Sequence, residues 1–173
     1  MGKKEANEEL KKLLYGKRSC GDCRACCTTH YITELKKEEG VTCPNVVTDN
    51  PAGGCGIYDT RPASCAAWAC LWRSGSNVLG EGERPDKNGV VIEAQGEDML
   101  VAKEAFEGGF THAMKLLTRL ANKRLVQLRE ADGKSGVAFG PSHQLPKYVA
   151  LMDVVHKAEK KMREAQAAAK VSP

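Results

Sequence analysis

The chain has 173 residues, 42% hydrophobic and 28% charged, with a net charge of +4. That length makes one domain, or a small domain with an appendage, and the composition excludes wholesale disorder. The charge excess is too slight to argue nucleic-acid binding without a patch to concentrate it. No apolar run approaches the ~20 residues of a membrane span, and Met1 to Glu9 carry no apolar stretch of a secretory signal. A cytoplasmic location is therefore expected, where thiols are kept reduced.

Residues 3 to 15 read as a short charged helix with Leu10, Leu13 and Leu14 on one side, near the length below which isolated helices are marginal. From 20 to 70 the sequence is rich in Gly, Pro, Asn, Asp and Thr and holds no sustained helical or strand period. Such a stretch buries few apolar groups, so metal ligation would have to replace the missing core. Within it, Ala63 to Trp72 can form one or two helical turns after Pro62. Trp68 and Trp72, four apart, would then share a face and cover whatever the cysteines hold.

Beyond residue 77 the pattern changes. Val90 to Ile92 and Met99 to Val101, separated by Gly96-Glu97-Asp98, predict a hairpin. Phe110, Ala113, Met114, Leu117, Leu120 and Ala121 recur at helical spacing, with Asn122 as a left-handed stop. Leu125 to Leu128 and Val137 to Phe139 predict a second hairpin, although a helix running on through Leu128 stays in phase. Pro141 and Pro146 punctuate a loop before a last helix from about Pro146 to Ala169, with Tyr148, Met152, Val155 and Met162 on one stripe.

The expected class is α+β: an irregular, cysteine-rich, metal-organised N-terminal half, then a small antiparallel sheet of two hairpins with an intervening helix and a long C-terminal helix. The expected divisions are 1–19 (charged helix or tail), 20–95 (cysteine cluster), 96–141 (small α+β continuation) and 142–173 (C-terminal helix).

All eight cysteines, Cys20, Cys23, Cys26, Cys27, Cys43, Cys55, Cys65 and Cys70, fall between residues 20 and 70. The first four read C-x-x-C-x-x-C-C. A C-x-x-C turn presents two thiolates to one ion at the ~2.3 Å of a zinc–sulfur bond. Three such ligands on one loop with a distant Cys-Pro, here Cys43-Pro44, is also the arrangement that holds iron–sulfur clusters. Adjacent Cα atoms lie about 3.8 Å apart with diverging side chains, so Cys26 and Cys27 rarely serve one tetrahedral ion. One arrangement is two sites, with Cys20, Cys23, Cys26 and Cys43 in the first and Cys27, Cys55, Cys65 and Cys70 in the second. A single site with spare thiols stays open, and a disulfide framework is the rival outside a reducing compartment. His30, three residues past Cys27, is a candidate substitute ligand. Lys17, Arg18, Arg24, Arg61 and Arg73 flank the cysteines and can offset thiolate charge.

The run C-x-x-C-x-x-C-C, then Cys43-Pro44, then Gly54-Cys55 with Ile57-Tyr58, Arg61-Pro62, Cys65 and Cys70 resembles the cysteine-cluster family named for its CxxCxxCC motif. The resemblance covers roughly residues 20 to 95, including Arg84-Pro85-Asp86-Lys87. It implies chelation of zinc or iron through the eight cysteines, and little about any reaction. Flagellin lysine methylase is a distant relative of that family. No glycine-rich strand–turn–helix loop for a nucleotide-like cosubstrate accompanies the cysteines here, so that activity does not carry over.

The leading expectation is a cytosolic metal-binding protein, with zinc, iron or an iron–sulfur cluster as cofactor and no reaction required of it. One alternative is an iron–sulfur redox protein or enzyme subunit. Another is a zinc module that binds nucleic acid through Lys115, Arg119, Lys123 and Arg124. Those cations alternate with Glu104, Glu107 and Glu130, as a solvated face does.

Overall fold

Three consecutive residues, Val90, Val91 and Ile92, are all buried, so the strand they open is covered on both faces. That strand, β1 (Val90–Gln95), belongs to a four-stranded sheet with β2 (Met99–Glu104), β3 (Leu125–Arg129) and β4 (Ser135–Phe139), in the order β1-β2-β3-β4. The computed structural model describes residues 18–47, 54–74, 78–130 and 135–171; the helix expected over 3–15 lies outside them. The described helices are α1 (Ala25–Thr29), α2 (Ala63–Ala67), α3 (Leu71–Ser74), α4 (Pro85–Asn88), α5 (Gly109–Ala121) and α6 (Leu145–Val171). Single 3-10 turns occur at Thr33–Leu35, Tyr58–Thr60 and Glu81–Glu83. The class is α+β.

β1 pairs antiparallel with β2 through the turn at Gly96, with Gln95 opposite Met99. β3 pairs antiparallel with β4, with a bulge between Gln127 and Arg129. β2 and β3 run parallel, Met99 beside Leu125 and Lys103 beside Arg129. The sheet is therefore mixed, which corrects the antiparallel expectation. The cause is α5, which carries the chain back along the sheet so that β3 enters in the direction of β2, the usual way to join parallel neighbours.

Strand alternation sorts the sheet into two faces. Val90, Ile92, Leu100, Ala102 and Val126 share a cluster with Ala113, Leu116, Leu117, Leu120 and Ala121 of α5. A fully buried leucine such as Leu117 contributes about 1.5–3 kcal/mol. Met114, expected on that apolar stripe, is 47% exposed. Asn122 stays right-handed at φ −67, not left-handed as expected, and α5 closes instead on bonds from Lys123 and Arg124 N–H to the Leu120 carbonyl. At the other end, Glu104 Oε1 accepts the Phe110 N–H, and the Gly109 backbone lies against Gly89. A Cβ on Gly89, itself at φ +88, would stand 2.6 Å from Gly109 Cα.

The opposite face carries Val91, Glu93 and Lys103 toward the cysteine region. Residues 63–72 do not form one helix: Trp68 is extended at φ −99, ψ 143 and separates α2 from α3. Trp68 and Trp72 thus leave the shared helical face expected of them, yet both pack against the sheet cluster, which also includes Cys70 and Leu71. The front half is therefore joined to the sheet by ordinary apolar burial as well as by its loops.

Candidate functional site

The eight thiols line a single cavity of about 240 Å³, all of them free. Cys43 and Cys70 are buried and the other cysteines half-buried. Trp68, Trp72, Ile57, Tyr58 and Val91 supply apolar wall, and His30, Arg61 and Arg73 supply polar wall.

Local structure explains how each cysteine reaches the cavity. Cys23 N–H donates to the Cys20 carbonyl at 3.0 Å, closing a tight turn that contains Gly21 at φ +54. Cys26 and Cys27 follow on α1, where neighbours diverge by about 100°. The Cys43 N–H donates to the Cys27 carbonyl at 3.0 Å, and an isolated bridge joins Val46 to Cys55. Asn45 Nδ2 donates weakly to Cys43 Sγ at 3.9 Å. Gly54, at φ +69, leaves the space that the Arg24 side chain fills beside this bridge, where any Cβ would collide with it. Cys65 sits in α2, whose first turn is held by Glu34: its carboxylate accepts the Ser64 N–H at 3.0 Å and the Ser64 hydroxyl at 2.7 Å. Cys70 precedes α3, its carbonyl accepting the N–H groups of Arg73 and Ser74.

Cys43 is tied to Cys27 rather than to Cys20 and Cys23, and the break at Trp68 separates Cys65 from Cys70.

Burial dominates the electrostatics. It pushes the Cys23 thiol up to about 12 and raises Cys65 and Cys70. Cys26 is raised first by its hydrogen bond to Cys27 and then by burial. Cys27 is lowered because it accepts that bond, with help from the charges of Lys37 and Arg24 against the effect of burial. Cys23, Cys26, Cys65 and Cys70 thus hold their protons more tightly than a free thiol, and Cys27 less tightly.

Lys37 is a cation that the sequence reading passed over, because Lys36-Lys37-Glu38-Glu39 looks like a solvated charge run. It is 4% exposed, and its Nζ donates to the carbonyls of Thr28, His30 and Glu38. Burial lowers its pKa, opposed by Cys43, Cys27, Glu39 and Cys26 in that order. A second passed-over network lies behind His30. Glu93 Oε2 accepts from His30 Nε2 at 3.2 Å and from Trp68 Nε1 at 3.3 Å, while Lys103 Nζ lies 2.8 Å from Glu39 and 3.6 Å from Glu93. Burial raises Glu93, but His30, Lys103 and Trp68 together hold it below the usual carboxylate range. With Nε2 donating to Glu93, Nδ1 is left for the Thr29 hydroxyl at 2.8 Å, so both ring nitrogens of the candidate substitute ligand are engaged. The only sequence sign of this network was Glu93 at the position two after Val91 in a strand too apolar to be solvated.

The flanking cations have other partners as well. Arg18 donates to the Trp72 carbonyl at 2.9 Å and pairs with Glu81 at 2.8 Å; Arg61 stacks 4.0 Å above the Tyr58 ring. Arg84 pairs with Asp22 at 2.7 Å and Asp86 at 2.6 Å. Lys17 lies outside the described residues.

Among the described residues, no group of three or more His, Cys, Asp or Glu side chains is arranged to hold a metal ion, and no helix is long and apolar enough to cross a membrane. The thiols face a common space without meeting at a point. Comparison of the chain with models of protein families, with curated proteins and with solved structures finds no match in any of the three.

Proposed function

We propose that the chain is a metal-binding protein whose eight cysteines chelate zinc or iron, as single ions or as an iron–sulfur cluster. The observation that carries this reading is the convergence of every thiol on one cavity. Thiols raised by burial are poor nucleophiles and poor redox groups, since the thiolate is the reactive form. A bound cation reverses that balance, because coordination deprotonates thiols outright. The donor chemistry suits soft or borderline metals. Because the thiols border a cavity, loading has to contract it, and metal binding adds its free energy to a front half that apolar burial already holds on the sheet.

The resemblance of residues 20 to 95 to the CxxCxxCC family supports the same reading. Free thiols fit a reducing compartment such as the cytosol, and chelation alone asks for no reaction. In this reading Lys37, Arg24, Arg61 and Arg73 balance the negative charge of metal–thiolate centres, and Trp68 and Trp72 keep water off the sulfurs. The test is elemental analysis of anaerobically purified protein together with its absorption near 400 nm. Stoichiometric colourless zinc selects single ions, and a brown sample selects iron–sulfur. Protein that binds neither metal, with all thiols titratable and full native structure, overturns the reading.

A further inference from the structure

We infer that Trp68 is a movable cover on the thiol cavity and that Glu93 is the positioning residue that latches it shut. The inference rests on the metal-binding reading and deepens it, by assigning the element that governs access to the sulfurs.

Trp68 belongs to neither of the helices that flank it. Residues 68 to 70 join α2 to α3 without helical structure, and Trp68 itself is extended at φ −99, ψ 143. Its ring lines the cavity and packs against the apolar cluster that contains the buried Cys70. The groups that fix the ring come from distant parts of the chain. Glu93 Oε2, on β1, accepts the indole N–H at 3.3 Å, and the His30 ring lies 4.0 Å away, centroid to centroid, tilted by 57°. His30 is bonded in turn to the same carboxylate oxygen and to the Thr29 hydroxyl. On the sheet, Lys103 stands opposite Val91 and diagonal to Glu93 on the same face. Its Nζ lies 3.6 Å from the Glu93 carboxylate and is itself held by Glu39 at 2.8 Å.

A carboxylate buried in that face costs free energy unless it is paired, and an aliphatic side chain could pack beneath the indole without the cost. What Glu93 adds is a directional bond to a charged acceptor, a bias of roughly ten- to a hundredfold toward the closed position. Rotation of the Trp68 side chain breaks that bond and uncovers Cys70. No helix has to unwind, because the residue lies in the break between two of them.

Site-resolved alkylation of the reduced, metal-free protein tests the latch. Parent and variants are pulsed with N-ethylmaleimide, and the modification rate of each cysteine is read by peptide mass mapping. Cys43, buried like Cys70 but outside the cluster on which Trp68 packs, is the internal reference for general loosening. Glu93→Leu removes the acceptor, and Trp68→Phe removes the donor while keeping an aromatic ring. Each is expected to raise the Cys70 rate relative to Cys43 by about tenfold, the factor set by one such bond. The double variant E93L/W68F should be no faster than the faster single one, since both changes remove the same bond. A relative rise below about fivefold in either variant, short of what one such bond supplies, overturns the latch, as do effects that multiply in the double variant. Should one single variant fail to fold, the other decides by itself. A native chain that takes up no metal refutes the proposed function instead, and the alkylation rates, read without metal, still decide the latch.

Discussion

Replacing Lys37 by methionine is the sharpest probe of how the front half is held without metal. The ammonium donates to three carbonyls, those of Thr28, His30 and Glu38. Hydrogen bonds from a charged donor contribute about 1.5–3 kcal/mol each, offset by several kcal/mol for burying the charge. In the variant the Thr28 and Glu38 carbonyls keep the N–H groups of Gly40 and Val41, so the loss falls mainly on His30. The balance is about 3 kcal/mol, and at about 2–4 °C per kcal/mol for a chain of this size the melting temperature should fall by about 6–12 °C. The assay is thermal unfolding of the reduced, metal-free protein followed by far-ultraviolet circular dichroism, with exposed Lys115→Met as control. A Lys37→Met variant that melts within about 2 °C of the parent, the range of an ordinary surface change, would refute the reasoning.

Two further outcomes are expected. A thiol raised by folding stabilises the fold fully below its ordinary value and loses that contribution as pH climbs through the folded value. Cys23 therefore costs the metal-free chain about 1.4 kcal/mol per pH unit between pH 9.0 and about 12. Cys27, held low, has the opposite sign, but its contribution is complete by the ordinary thiol value. The urea midpoint of metal-free protein should thus be lower at pH 10.5 than at pH 9, and a flat or rising profile contradicts the buried-thiol picture. Zinc affinity should rise with pH below the ordinary thiol value, because each ligand gives up a proton on binding. Gly109→Ala should cost about 1–3 kcal/mol by overpacking, since its Cβ would run into the Gly89 carbonyl and within 3.2 Å of Glu104 Cγ; an unchanged denaturation midpoint would mean that α4 and α5 have room to part.

Some of this molecule could be read locally. The helical spacing of Ala113, Leu117 and Leu120 located α5 because a buried stripe recurs every turn. The hairpin at Gly96 was legible because a left-handed residue between two apolar runs has few other uses. Met114 was misjudged because spacing alone does not say where the apolar stripe ends. The direction of β3 was also missed. Each hairpin is locally antiparallel, and only the return of the chain along α5 makes β2 and β3 parallel.

The kind of site was a property of the chain: eight cysteines crowded into residues 20 to 70 put sulfur at the centre of whatever this region does. The strapping of their loops was not, because it depends on contacts between residues far apart in the chain, Arg18 with Trp72 and Glu34 with Ser64. The same holds for Lys37 and Glu93, which look like solvent-facing charges until loops and a sheet face close around them. Residue type carries the chemistry that is possible. Distance and burial, which set each thiol's proton affinity and neighbours, exist only once the loops are strapped to one another and packed on the sheet.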